Sequence, residues 1–386
     1  MSSVTQSMIE IVPDTSVLAE QLREHIKREG PITFREWMRT ALFDPVAGYY
    51  CKTGQTIWGR EGDYRTSPER SDLFAATFAR YFARLYHVLG DPQSLSIFEM
   101  GGGAGHFAVG VLQTLQMYFP RVYAATRYVF DEISGPARTA ARKRLISFLD
   151  RVEFAGLDDR EVDPGIVFSN ELLDAFPVHR VCLIEGELCE YYVTLGSDEQ
   201  FEWLTGPPST FKVAEYLKKH DICLREGQVV EVNLEIELWL ANVAAKLRRG
   251  YLITVDYGGD AAELYSSGER RQGTLRGFHR HAFVENLLAA PGEHDLTSTI
   301  NWPALRTTGE SCGLTTVEFC RQDKFLIDAG LLDQLTVQSR DISEAERISL
   351  STAAREMILP NGMAASFQVL VQEKVSDRVA FGADGA

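Results

Sequence analysis

The chain has 386 residues, 45% of them apolar and 24% charged, with a formal net charge of -15 at pH 7. That length buries a large core in one big or two unequal domains, and the acidic balance, with no dense run of lysine or arginine, excludes a surface built for nucleic-acid phosphates. Scattered cysteines, without a Cys-x-x-Cys pair or a histidine at ligand spacing, indicate neither zinc nor a disulfide framework, and no apolar stretch of membrane-spanning length or basic leader followed by an apolar run occurs, so a cytoplasmic protein that engages no membrane is expected.

After a loose arm, Ser2 to Thr15, helical periodicity begins at Ser16, with Leu18, Leu22 and Ile26 on one face and Gly30-Pro31 as the stop. Thr33 is placed to cap a second helix, with Glu36 three residues on and Phe34, Trp37, Met38 and Leu42 buried, ending at Asp44-Pro45. Gly48-Tyr49-Tyr50 and the stretch Gly62 to Pro68, which includes Thr66, set glycines and turn residues among aromatics. Such a loop either covers a ligand or is a surface loop pinned by its tyrosines. From Asp72 to Leu89 the stripe Leu73, Phe74, Phe78, Tyr81, Phe82 and Leu85 marks a long core helix.

Ser94 to Leu115 is the stretch around which the chain is organised. A short apolar run ends in Glu99, Gly101, Gly102, Gly103 and Gly105 follow, and Phe107, Val111, Leu112 and Leu115 recur at helical spacing. A strand, a glycine turn and a helix let backbone approach a ligand closely. A dinucleotide fingerprint would place glycine where His106 stands, and the acid two residues before the first glycine would repel a pyrophosphate. The same acid suits the ammonium of S-adenosylmethionine, so the stretch reads as an adenosylmethionine loop. A purely structural glycine turn is the other reading.

Tyr128 to Ser134 forms a second strand ending in acids, of which Glu132, ahead of Asp131, is placed for the cofactor's ribose diol. Pro136 to Leu149 is a basic amphipathic helix, and Val152 to Phe154 a third strand ahead of Asp158 and Asp159, where an acid could meet the adenine amino group. Gly165 to Val178 is an apolar strand ending in the polar turn Asn170-Glu171-Leu172-Leu173-Asp174, which would stand beside the cofactor where the acceptor must be placed.

The turn from Asn170 to Val178, together with the Glu99 glycine loop, resembles the MidA family, the DUF185 group of adenosylmethionine-dependent methyltransferases. Pro45 to Tyr50, Gly62-Asp63 with Thr66-Ser67-Pro68, Val255 to Gly258, Gly273 to Arg276, His281, Pro291-Gly292 with Asp295 to Thr297, and Gln322 with Phe325-Leu326 fit the same family, so the resemblance runs from about Gly30 to Lys374. It implies S-adenosylmethionine as cofactor, bound through Glu99, Gly101, Gly103, Gly105, Glu132, Gly62, Thr66 and Asn170. Because the family includes a methyltransferase of a protein arginine, it also implies an acceptor protein. One departure stands out: where the family tends to read Asp-Ile-Thr-Ala-His-Val-Asp-Phe, this chain reads Asp295-Leu-Thr-Ser-Thr-Ile-Asn-Trp302. That puts a shared acceptor in question more than a shared fold.

The expected fold is α/β, a doubly wound class I (Rossmann-like) methyltransferase with a seven-stranded, mostly parallel sheet, an N-terminal helical region and an inserted antiparallel substrate region. Residues 1–90 form the helical, cofactor-covering part, and 91–178 with 228–374 the core, which includes a substrate-side segment at 258–301. His179 to Thr205 reads as a three-stranded meander within an insert at 179–227, which also holds a helix, and 375–386 is a flexible tail. A buried helix is expected from Gln228 to Arg249, a fifth strand from Tyr251 to Asp256, and a closing pair of strands near Leu314 to Cys320 and Ser366 to Gln372. Between that pair lie helices near Asp323 to Gln334 and Ser343 to Met357.

An arginine acceptor is a poor nucleophile because its lone pair is delocalised and the group stays protonated. A carboxylate orients the fork and draws the charge away from the reacting nitrogen. Glu171, Asp174 and Asn170 are therefore the catalytic candidates, Glu171 for the guanidinium and Asn170 as an orienting or cofactor-side group. The competing reading has the same residues cap a following helix. His281, His294 and Asp295 are acceptor-side polar candidates. Two alternatives stay open, a small-molecule methyltransferase and a non-catalytic cofactor-binding assembly factor.

Overall fold

Side-chain caps start both entry helices. Ser16 accepts from the Ala19 N–H at the head of α1 (Val17–Glu29), and after a two-residue strand β1 (Ile32–Thr33), Thr33 accepts from the Glu36 N–H at the head of α2 (Phe34–Phe43). The computed structural model describes residues 16–53, 71–266, 268–279, 282–340, 342–359 and 366–375, so Gly62, Thr66, His281 and the tail lie outside the described residues. Ser71 caps α3 (Asp72–Val88), whose buried face carries Phe74, Phe78 and Phe82.

The central layer is built from β2 (Leu95–Met100), α4 (His106–Tyr118), the short α5 (Pro120–Ala125), β3 (Thr126–Asp131), α6 (Gly135–Arg144), β4 (Val152–Phe154) and β5 (Gly165–Asn170). An antiparallel excursion follows: β6 (His179–Ile184), β7 (Glu187–Leu195), β8 (Phe201–Gly206), α7 (Phe211–Lys219) and β9 (Val229–Val232). The chain then returns through α8 (Leu234–Lys246) and β10 (Gly250–Gly259) to the short strands β11 (Arg276–His279), β12 (Ala282–Phe283), β13 (Asp295–Thr297) and β14 (Ile300–Asn301). It closes with α9 (Trp302–Ser311), β15 (Thr315–Arg321), α10 (Gln322–Ala329), α11 (Leu331–Gln338), α12 (Glu344–Ile358) and β16 (Phe367–Lys374).

The main sheet runs β15-β16-β10-β5-β2-β3-β4, with β14 added beside β10. From β10 to β4 every pairing is parallel, and β16 alone runs against both of its neighbours. The expected seven-stranded, mostly parallel sheet is therefore present. Its strands are apolar on both faces because helices cover both sides. Ile97, Tyr128, Phe130, Ile166, Phe168 and Ile253 face one core with α3 and α4, and Phe98, Val129, Val167 and Leu252 face the other with α8 and α9. Phe107 of α4 stacks on Phe168 of β5 with ring centroids 4.2 Å apart, which clamps the glycine-turn helix to the strand that ends in the polar turn at Asn170.

Two sequence expectations need correction. The helix expected from Gln228 is a strand first: Val229–Val232 pairs antiparallel with β6, and Asn233 then caps α8 through the Ile236 N–H. A β-branched run with an open edge beside it wins over helical periodicity. The second sheet is accordingly wider than a three-stranded meander, in the order β1-β7-β6-β9 with β8 on β7. The single helix expected near Asp323 to Gln334 is two, broken at Gly330, whose φ of 101° ends α10 in the left-handed region.

Candidate active site

Strand β2 pairs with β3 on one side and β5 on the other, so the chain order reverses there and the carboxyl ends of these strands frame a crevice. A cavity of about 430 Å³ lies in it, a size suited to a cofactor. Its floor is the glycine turn, and α2 and α8 wall it from outside.

At one end Glu99 is buried and accepts a 2.8 Å hydrogen bond from the Tyr128 hydroxyl. Burial pushes its carboxyl up to about 8, against the opposing pull of the Tyr128 bond. Gly101 and Gly103 line the cavity, and Gly103 has a φ of 54° that a branched residue would resist. The Gly103 N–H donates to Glu132 Oε2 at 2.7 Å, and the Ser134 N–H to Glu132 Oε1 at 2.7 Å. Glu132 thus fixes the turn as well as lining the cavity. Burial raises its carboxyl, and pushes that of Asp131 beside it up to about 6, helped by the charge of Asp158. Burial lowers His106 to about 4, so a neutral imidazole lines this end. Gly105 does not line the cavity. It is the left-handed residue ahead of α4, and a Cβ there would stand 3.0 Å from that of Ala141, so its role is helix packing.

At the other end Asn170 closes β5 and Glu171 follows with a φ of 50°, a conformation few non-glycine residues adopt. The Glu171 N–H is tied to the Val255 carbonyl at 2.9 Å, which aims the side chain at the cavity wall. Asn170 Nδ2 donates to Glu171 Oε1 at 3.1 Å. Asn170 Oδ1 is buried without a hydrogen-bond partner among the described residues, an acceptor left for a bound molecule. No helix occupies residues 171–178, which removes the helix-capping reading of this turn. Phe176 and Trp239 meet edge to face at 6.4 Å, and Glu235, ion-paired with Arg35, lines the same end.

Asp174 corrects the expectation that it shares a surface with Glu171. It is buried off the cavity, bonded to Tyr257, and sits beside the fully buried Asp256, whose Oδ2 accepts from the Leu173 N–H at 3.1 Å and whose Oδ1 accepts from the Tyr257 N–H at 2.8 Å. Burial raises both carboxyls, and that of Asp256 rises further because of Asp174. This pair buttresses the turn from behind. His294 and Asp295 are buried off the cavity too, but Asp295 Oδ1 accepts from the hydroxyl of Tyr50, which lines it, at 2.7 Å. In the altered stretch, Asn301 caps α9 by accepting from the Ala304 N–H at 3.1 Å, a task aspartate performs equally, and the Thr299 N–H donates to Thr274 Oγ1 at 3.1 Å.

Sequence reasoning passed over Arg39, Phe43, Glu235 and Trp239, all of which line the cavity. The signal was present in spacing: Arg35, Arg39 and Phe43 recur every four residues along α2, off its fully buried face, and Glu235 and Trp239 are four apart on α8. The residues present fit S-adenosylmethionine. Glu99 would be the buried carboxylate for its ammonium, Asp131 and Glu132 at the end of the second strand would be the acids for its ribose, and side-chain-free backbone lies between. Among the described residues no group of three or more histidine, cysteine, aspartate or glutamate side chains is arranged to hold a metal ion.

Comparison with known proteins points to the same cofactor. Residues 77–320 match the profile of a family described as S-adenosyl-L-methionine-dependent methyltransferase. The protein arginine methyltransferase NDUFAF7 homolog of Drosophila melanogaster, a mitochondrial protein, is 26% identical over 77% of this chain and 70% of its own length. The human protein arginine methyltransferase NDUFAF7, also mitochondrial, is 25% identical over 84% of this chain and 76% of its own. A crystal structure of a superfamily member from Burkholderia thailandensis, described as a methyl transferase and bound to S-adenosyl-homocysteine, superposes with a TM-score of 0.83 at 29% identity, covering 96% of this chain and 93% of that one.

Proposed function

From the premise that this chain belongs to the family of S-adenosyl-L-methionine-dependent methyltransferases, we propose that it methylates the side chain of an arginine in an acceptor protein. The observation that carries the reading is Glu171, an acid held in the left-handed conformation at the end of β5 and aimed at the cavity wall. The names of the Drosophila and human relatives support the choice of arginine.

The cofactor supplies an electrophilic methyl group on a sulfonium when bound. What the protein adds is binding and alignment, worth roughly 7 to 11 kcal/mol when two partners are held in register. Glu99 would receive the ammonium, and Asp131 and Glu132 would offer acceptors to the ribose hydroxyls. Glu171 takes the acceptor guanidinium in a charge-assisted fork, and Asn170 Nδ2 holds the carboxylate in place. Phe176 and Trp239 exclude water around the acceptor's alkyl stem, which makes the pairing with Glu171 stronger than it would be in solvent.

Incubation of the protein with methyl-labelled S-adenosylmethionine and host lysate tests the reading. Label in a protein band that yields methylarginine on hydrolysis supports it. Label in a small molecule overturns the acceptor, and no transfer at all points to the cofactor-binding assembly role.

A further inference from the structure

The cavity is strongly one-sided in charge. Glu99, Asp131, Glu132, Glu171 and Glu235 line it, and Arg39 is the one arginine or lysine among the described residues that does. Arg35, one turn earlier on α2, is committed to Glu235, whereas no described residue bonds or pairs with Arg39. The methionyl end of the cofactor carries a carboxylate as well as an ammonium. Setting that carboxylate near Glu99 without a donor would be costly. The glycine turn has few N–H groups to offer. Those of Gly101 and Gly102 donate to the Asp131 carbonyl at 2.9 and 3.2 Å, that of Gly103 to Glu132 at 2.7 Å, and that of Gly105 to the Gly102 carbonyl at 3.0 Å. A turn spent on holding its own shape is a poor anion cradle.

We propose that Arg39 receives the α-carboxylate of the cofactor's methionyl group. Its guanidinium has the fork that matches a carboxylate, and its position between Arg35 and Phe43 on the cavity face of α2 gives it the reach. Helix α2 thereby brings to the cofactor site a positive charge that the other described residues lining the cavity lack. The inference rests on the family's cofactor and is independent of the acceptor. The competing donor is the N-terminus of α4, where Gly105 supplies no side-chain cap.

The test compares two ligands by calorimetry: S-adenosylmethionine, and its decarboxylated form, which keeps the ammonium and sulfonium. Arg39→Gln is expected to weaken the first by about tenfold or more and to leave the second within about twofold, with Arg39→Lys between wild type and Arg39→Gln. Thermal unfolding of the ligand-free variants checks folding. Should Arg39→Gln unfold, Arg39→Lys carries the same comparison between the two ligands. Equal losses for both ligands would overturn the proposal by making Arg39 a wall residue. An unchanged affinity for S-adenosylmethionine would overturn it in favour of the α4 N–H groups. Wild type binding neither ligand would remove the cofactor assignment itself.

Discussion

Cofactor binding should release a proton from Glu99. Burial pushes this carboxyl up to about 8, and among the described residues the Tyr128 hydroxyl is the group that favours its charged form by a direct bond. A bound ammonium needs the carboxylate, so the protonated fraction acts as a tax on affinity. With the carboxyl at about 8, about one molecule in ten is competent at pH 7, which places the apparent affinity about tenfold below its alkaline limit and lowers it about tenfold for each further pH unit. Calorimetry with S-adenosylhomocysteine in buffers of different ionisation heat, between about pH 6 and 9, reads the proton directly. Glu99→Gln should bind more weakly with no proton release from this site. The ligand's own amine titrates equally in both proteins, so the ratio of wild type to variant isolates Glu99. Tyr128→Phe should move the wild-type midpoint upward. A pH-independent ratio with no proton released at neutral pH would refute the reasoning.

The same group gives a stability prediction: its folded value lies above the unfolded one, so its contribution is full below the ordinary carboxylate range and is lost as pH rises toward about 8. The Tm of ligand-free Glu99→Gln should therefore gain on wild type as pH is raised through that window, and a constant difference would contradict the burial argument. Gly103→Val should fold with a penalty of about 1 to 2 kcal/mol for its left-handed backbone and lose S-adenosylhomocysteine binding, read by thermal shift and calorimetry. Asn301→Ala should cost about 1 to 2 kcal/mol in denaturant unfolding, because it loses both the α9 cap and the Asn301 Nδ2 donation to the Tyr265 hydroxyl at 3.1 Å, while Asn301→Asp keeps the cap, loses that donor and should fall between Asn301→Ala and wild type in stability, with methyl transfer unchanged. A large activity change in Asn301→Asp would show that the altered stretch selects the acceptor.

The central layer was legible because its signals are local. Apolar runs such as Ile166 to Phe168, punctuated by glycine turns and capped helices, declare strands covered on both faces. Glu99, Glu132 and Glu171 could be named because they lie at the carboxyl end of such strands or follow them directly. What sequence hid depends on tertiary placement. Val229–Val232 is a strand because β6 offers it an edge, and nothing in its own residues tells that β6 is there. Asp174 and Glu171 are three residues apart, yet the left-handed φ at Glu171 and the hold of Asp256 on Leu173 send them to different surfaces. Arg39 and Glu235 reach the cavity from helices far apart in sequence, and only packing brings them to it.

The most direct test of the central claim is Glu171→Gln, which keeps the shape of the side chain and removes its charge. If Glu171 holds a guanidinium, the variant should keep S-adenosylhomocysteine affinity within a few-fold and lower turnover on the acceptor protein by roughly a hundredfold or more. Equal losses of cofactor affinity and turnover, or turnover close to wild type, would contradict the account.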